Sequence, residues 1–366
     1  MRTKVLSICI SLVMVVTLIP SYSFADGETG INGWNEDETS YYENGVAVKG
    51  LKEIDGSYYY FNAKGIKVVN KLVKTDGYKY YFDDDGKALI RKFKTVGDNK
   101  YYFGGEGKAL RGKQTIKGQH YYFYKNSCRA ADKGWVQSKT RYSLGGGKLV
   151  TGPKKIGKTV YFFNTSNAKR RTKKGFFKYN GGEYYSSSKG VLKTGFQAIK
   201  RNGKLNGYYF YKKTGKMAKD TTIGHLRIPK SGKLKKAYAY GIRKLNKNGW
   251  KLRKAYNYSA GLKYYDRWYR KKTSEQYAIR GFTEHRGNCY VMAATFYIQA
   301  KLLGYNVRQM QGKVSYRYPH SWTVIKHNGK WYVYDPCFTN EHNKNGFKIY
   351  YGKKGTWRYT NKKRMN

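Results

Sequence analysis

The chain has 366 residues, enough for two domains or for one domain joined to a repeat array. Its 74 Lys and Arg against 22 Asp and Glu leave a formal charge of +52, which points to a polyanionic partner or surface rather than to generic solubility. Past the N-terminal apolar stretch only Cys128, Cys289 and Cys337 occur, an odd and small number that excludes a disulfide framework, so stability must come from packing and repetition.

Residues 1–25 read as a secretory signal peptide. Arg2 and Lys4 charge its start, Val5–Ile19 is apolar, Pro20 breaks the run, and Ser23-Phe24-Ala25 is a small-x-small cleavage site. The apolar stretch is short for a bilayer span, and no later run is long and apolar enough to cross a membrane. The expectation is an exported chain with no membrane span. For such a chain the polyanion is a phosphate-rich wall polymer or acidic glycan rather than nucleic acid.

From about Ser40 to Ile223 the sequence repeats. Aromatic triplets end at Phe61, Phe82, Phe103, Phe123, Phe163 and Phe210, with degenerate copies ending at Ser143 and Ser186, at steps of about twenty residues. Asp55-Gly56 and Asp76-Gly77 precede their triplets as turn signals, and a glycine follows at Gly65, Gly86, Gly107, Gly147 and Gly190. Each unit reads as a short hairpin, too small to bury its own face and stable only when stacked on its neighbours. Residues 26–223 are therefore expected to form a β-hairpin repeat solenoid. Gly152–Thr159 matches the phosphate-loop pattern, but that loop needs a following helix, and Val160–Phe163 is a repeat strand.

The turn, Tyr-Tyr-Phe and trailing Gly at this period resemble the cell-wall-binding repeats of Gram-positive surface proteins, the choline-binding and glucan-binding types. The resemblance implies a wall ligand. Choline cages use Trp and Tyr faces against a quaternary ammonium. The expected Trp survives only at Trp34 and Trp135, with Leu51, Leu72, Phe93, Phe176 or Phe196 elsewhere. A cell-wall glycan or a teichoic-acid-type polyanion fits the remaining aromatics and the Lys excess better than choline at most units.

Residues 224–233, with Pro229, read as a linker, and 234–366 as a second, α+β domain. Leu234–Leu245 and Trp250–Lys271 read as basic scaffold helices, and Gln276–Phe282 as a short lead-in segment. Tyr290–Leu303 is apolar nearly all round, a buried helix stopped by Gly304. Cys289 then sits in its first turn, where the helix dipole favours thiolate. Asn328-Gly329 is a two-residue hairpin turn between Ser321–His327 and Lys330–Asp335. That loop pairs His327 with Lys330 and Trp322 with Asp335. His320 and Asp335 become diagonal neighbours on one face, about 7–8 Å apart at the backbone. Cys337 falls opposite His320 if the ladder continues past Pro336.

Gly-x-Cys opening a helix, His-x-Trp opening a strand and Trp-Tyr-x-x-Asp-Pro closing the next resemble the transglutaminase-like fold of the papain-related cysteine superfamily. The resemblance covers roughly residues 235–340. It implies a transglutaminase-like catalytic domain with Cys289 as nucleophile, His320 as base and Asp335 as orienting carboxylate, and a protein or peptide amide as substrate. Cys337 departs from the family, which usually has a small residue there. Trp322 is expected to shield the site, and one oxyanion donor to be the Cys289 backbone N–H. His285, His327 and His342 lack metal-ligand spacing and read as surface residues, so no metal or cofactor is called for. Two function classes follow: a secreted, wall-associated cysteine acyl-transfer enzyme, or a non-catalytic wall-bound adhesin or scaffold on the same fold.

Overall fold

The computed structural model describes residues 30–266, 272–315 and 317–365. The signal-peptide segment and the expected helical end at 267–271 lie outside these residues. The chain divides into two compact units, one running to Gly112 and including Phe123–Arg129, the other made of Lys113–Tyr122 and the chain from Ala130 onward.

In the first unit, hairpins form from Gly50–Ile54 with Ser57–Phe61, Lys71–Thr75 with Tyr78–Phe82, and Lys92–Val96 with Asn99–Phe103. Asp55 and Gly56 both take positive φ, at 48° and 71°, as a two-residue primed turn requires. The second unit repeats the pattern, with Lys133–Val136 and Arg141–Leu144, Gly152–Ile156 and Thr159–Phe163, Gly175–Tyr179 and Gly182–Ser186, and Gly195–Arg201 and Lys204–Phe210. The phosphate-loop match at Gly152–Thr159 is thus a repeat hairpin. The last residue of each triplet is the core residue: Phe61, Phe82, Phe103, Phe123, Phe163 and Phe210 are 0 % exposed, and so are Ser143 and Ser186, which take the same place with smaller side chains.

The stretch expected as a linker is folded. Thr221–Ile223 pairs with Leu226–Ile228 in a further hairpin turned at Gly224. Leu226 and Ile228 are buried in one core with the final repeat's Phe196 and Tyr209 and with the helices that follow. Alternation of apolar residues outweighs the Gly and Pro that flank them.

The C-terminal region is helical first and then a sheet. Helix α1 spans Lys236–Asn248, α2 Leu252–Ala260, α3 Ser274–Thr283, α4 Cys289–Leu302 and α5 Pro336–His342. The second expected helix ends early, at Ala260, and Lys263–Tyr264 is a short strand parallel to Arg286–Gly287. The lead-in segment is a full helix, α3, because Thr273 and Gln276 form a reciprocal capping box at its start. Helix α4 is buried on nearly every side, and Gly304 beyond its end has φ 90°. Helix α3 crosses α4 at Gly281, where a Cβ would come within 2.0 Å of the Thr295 hydroxyl. The sheet is antiparallel, in the order Phe347–Ile349, Lys330–Tyr334, Tyr318–His327, Val307–Val314, Tyr359–Arg364. Asn328 and Gly329 turn the hairpin with φ 46° and 83°, and the register from His327↔Lys330 to Thr323↔Tyr334 follows the expected pairing.

Candidate active site

Cys289 is the first residue of α4. Asn288 caps that helix, its Oδ1 accepting from the Val291 N–H at 3.4 Å. At this position the Cys289 N–H has no intrahelical acceptor, and the helix places partial positive charge beside the sulfur. His320 lies near the start of its strand, and Asp335 lies between the last strand residue, Tyr334, and α5. All three are buried, at 8 %, 3 % and 0 % exposure.

The ladder stops at Tyr334 because Pro336 starts a helix. Asp335 is its N-cap, with one carboxylate oxygen accepting from the Phe338 N–H at 3.1 Å. The other oxygen accepts from His320 Nε2 at 2.8 Å and from the Tyr359 hydroxyl at 2.8 Å. With Nε2 given to Asp335, Nδ1 is left for the Cys289 sulfur, to which the ring is hydrogen-bonded. Tyr256 steadies the same corner from behind, donating to the Asp335 carbonyl at 2.8 Å.

Cys337 does not continue the hairpin opposite His320. It reaches the site from α5 and meets the Cys289 sulfur in a hydrogen bond. That contact, then the His320 charge and the Ser321 backbone N–H, pull the Cys289 thiol well below its ordinary range, against its burial. Cys337 moves up, through its bond to Cys289, its burial and the nearby Asp335 carboxylate. Its sulfur also lies 3.2 Å from Glu341 Oε1, so its one proton has two acceptors. Burial works against charge on His320, but Asp335 and the Cys289 sulfur override it and hold the imidazolium up to about 10. The two trends describe one thiolate–imidazolium pair.

Two rings fix the imidazole. Trp322, fully buried, lies nearly parallel to it at 6.1 Å between centroids, and Trp357 meets it edge-on at 4.5 Å. The Trp322 indole donates to the Tyr351 hydroxyl at 2.9 Å. Cys289, His320 and Cys337 open on a cleft of about 350 Å³ whose walls include Tyr264, Glu341, His342 and Trp357. Of the histidines read as surface residues, His285 and His342 are exposed, but His342 is also a cleft wall. His327 is half-buried and pairs with the Tyr334 hydroxyl at 2.7 Å. Sequence reasoning misses Tyr359, Tyr256 and Trp357. No motif marks them, and Tyr359 comes to Asp335 from the edge strand at one end of the sheet. Cys128 is buried in a repeat, with the Arg111 Nε 3.3 Å from its sulfur.

Residues 48–93 match the family described as choline-binding repeat. No curated protein matches the chain. Among solved structures, CbpJ from Streptococcus pneumoniae TIGR4 is 18% identical over 54% of this chain and 96% of its own, with a TM-score of 0.28. Choline binding protein F from Streptococcus pneumoniae, solved with a peptidoglycan analogue, is 24% identical over 54% of this chain and 61% of its own, at a TM-score of 0.28. The modular autolysin LytC of Streptococcus pneumoniae is 20% identical over 41% of this chain and 35% of its own, at 0.30. The chain thus covers less than two thirds of the latter two. Among the described residues, no helix is long and apolar enough to cross a membrane. The chain carries choline-binding-type repeats, and the family match falls within the hairpin region, not on Cys289, His320 or Asp335.

Proposed function

We propose that the chain is an exported, wall-associated cysteine acyl-transfer enzyme of the transglutaminase-like type, held on the wall by its repeats. The observation that carries the reading is the buried chain of contacts from Asp335 through His320 to Cys289 at the start of α4. In the reaction, the Cys289 thiolate attacks an amide carbonyl. A C–S bond forms, the C–N bond breaks, and the departing amine takes its proton from His320. An amine or water then attacks the thioester and gives its proton to His320, and the thiolate leaves. The Cys289 N–H, left without an intrahelical acceptor at the start of α4, serves in this reading as one oxyanion donor. Transamidation and hydrolysis share this thioester, so the same groups serve both. Mass spectrometry of wall peptides and proteins incubated with the chain should show new amide links or cleaved ones, and Cys289→Ala should show neither. Identical products from both would remove the enzyme reading.

The second reading is a non-catalytic wall-bound adhesin or scaffold. What favours it is that the family match lies in the repeats alone. Failure of Cys289 to react with any amide or electrophilic amide analogue would select it.

A further inference from the structure

Cys289 and Cys337 put two thiols into one cleft. They come from different elements, the first residue of α4 and the second of α5, and meet in a hydrogen bond. Both open on the cleft of about 350 Å³, beside His320 and Glu341. Cys128 lies in the other compact unit, against Arg111.

The short helix that carries Cys337 is fixed by its neighbours. Asp335 caps its start. Thr339 Oγ1 meets the Tyr256 hydroxyl at 2.7 Å and accepts from the Gly346 N–H at 2.9 Å. Asn340 Nδ2 donates to the Ala260 carbonyl at 2.6 Å and to that of Leu262 at 3.0 Å. Cys337 is therefore held against Cys289. Hydrogen-bonded sulfurs reach a disulfide, about 2.05 Å long, by an approach of roughly 1–2 Å.

The two thiols are unequal in the way that two successive steps need. Cys289 is the thiolate, beside the His320 imidazolium. Cys337 keeps its proton, held first by its bond to Cys289 and then by burial, and lies 3.2 Å from Glu341 Oε1. Once the Cys289 sulfur is no longer negative, the first hold is gone and Glu341 stands ready to take that proton.

We propose that Cys289 and Cys337 form a dithiol site that reduces low-molecular-weight disulfides and is itself left as a Cys289–Cys337 disulfide. The Cys289 thiolate attacks one sulfur of the small disulfide. A mixed S–S bond forms, the original one breaks, and the departing thiolate takes the proton from His320. Cys337 then gives its proton to Glu341 and attacks the Cys289 sulfur. The internal disulfide forms, and the second thiolate leaves with the proton from Glu341. Two electrons pass from the pair to the small molecule, which departs as two thiols. The exchange does not depend on acyl transfer but shares its nucleophile: while the internal disulfide stands, no Cys289 thiolate is left to attack an amide.

Reaction of the reduced full chain with hydroxyethyl disulfide, with no amide present, tests it. The parent should release two small thiols per chain. Mapping of its unreduced peptides should find Cys289 joined to Cys337, and Cys128 still a thiol. Cys337→Ser should release one small thiol and stop as a mixed disulfide on Cys289. Glu341→Gln should release the first thiol at the parent's rate and the second about tenfold or more slowly. A mixed disulfide that persists in the parent, a link to Cys128 or no reaction at all overturns the site. An unchanged second step in Glu341→Gln overturns the role of Glu341. Amide turnover of the reduced chain is scored separately. An internal disulfide in a chain without amide turnover keeps the site and removes the acyl-transfer reading, whereas amide turnover in a chain that forms no internal disulfide does the reverse.

Discussion

The repeats and the C-terminal domain use tyrosine in opposite ways. In the repeats, Tyr41, Tyr59, Tyr142 and Tyr161 are used through their rings, which meet Trp34 and Trp135 in T-shaped contacts, and cations of the chain lie over those Trp rings. Around the candidate site, Tyr256 and Tyr359 are buried and used through their hydroxyls, both on Asp335. The first arrangement is many similar contacts, each worth about 0.5–1 kcal/mol at exposed faces. The second is one satisfied polar cluster in a dry environment, where every missing partner strands another. Removal of one group should therefore be graded in the repeats and nearly all-or-none at the site.

Cys289→Ala gives the largest expected difference. Acyl transfer should fall by at least about 10³-fold, while wall retention and thermal stability stay at the parent's values. Peptide mapping after alkylation of the parent should find label on Cys289 and none on Cys128. A parent-like turnover in Cys289→Ala would dissolve the distinction between the two regions.

Asp335 should separate positioning from stability. Asp335→Ala removes the α5 cap and leaves the His320 N–H, the Tyr359 hydroxyl and the Phe338 N–H without their acceptor. The cost is about 3–5 kcal/mol, read as a lower melting temperature. Asp335→Asn keeps one oxygen for the cap but cannot stabilise the imidazolium. Turnover should drop about 10²–10⁴-fold with a much smaller loss of stability. Equal damage from both variants would make Asp335 a structural residue only.

Ionic strength sharpens the comparison without a mutation. Exposed charge is screened over about 10 Å at 0.1 M and 3 Å at 1 M. Wall retention of the chain, net +52, should weaken steeply across that range. Alkylation of Cys289 should barely change, because its ion-pair partner is buried with it. Retention that survives 1 M salt would mean that aromatic contacts, not charge, hold the wall.

Much of the candidate site is legible in the sequence. The turn at Asn328-Gly329 sets the register, and the register carries His320 next to Asp335. The twenty-residue period marks the hairpins, including those whose triplets end in Ser143 and Ser186, because spacing persists where residue type decays. What stays hidden depends on three-dimensional closure. Pro336 reads as a possible break in a strand, but it starts a helix, so Cys337 arrives from α5. Tyr359 joins through an edge strand whose place in the sheet no local pattern specifies. Leu226 and Ile228 look like linker residues because Gly and Pro dominate their surroundings. Trp250 reads as a helix residue, whereas it lies in the turn after α1 and stacks on Phe196 of the last repeat.

The smallest effect expected concerns Cys337, and its sign follows from the hydrogen bond it gives Cys289. That bond is the leading cause of the depressed Cys289 thiol, so Cys337→Ala should let the thiol rise toward its ordinary value near about 8.5. The reactive pair exists above the Cys289 pKa and below that of His320, which is held at about 10. Losing Cys337 should move the acid limb of the alkylation rate to higher pH and leave the basic limb in place. At mildly acidic pH the rate should then fall about tenfold for every pH unit that the acid limb moves. His320→Ala should also raise the acid limb, and in addition erase the basic one. Cys337→Ser restores a donor at the same position and should bring the acid limb part of the way back. If Cys337→Ala leaves the acid limb where it was, His320 and the start of α4 alone set the thiolate, and Cys337 is a packing residue of α5.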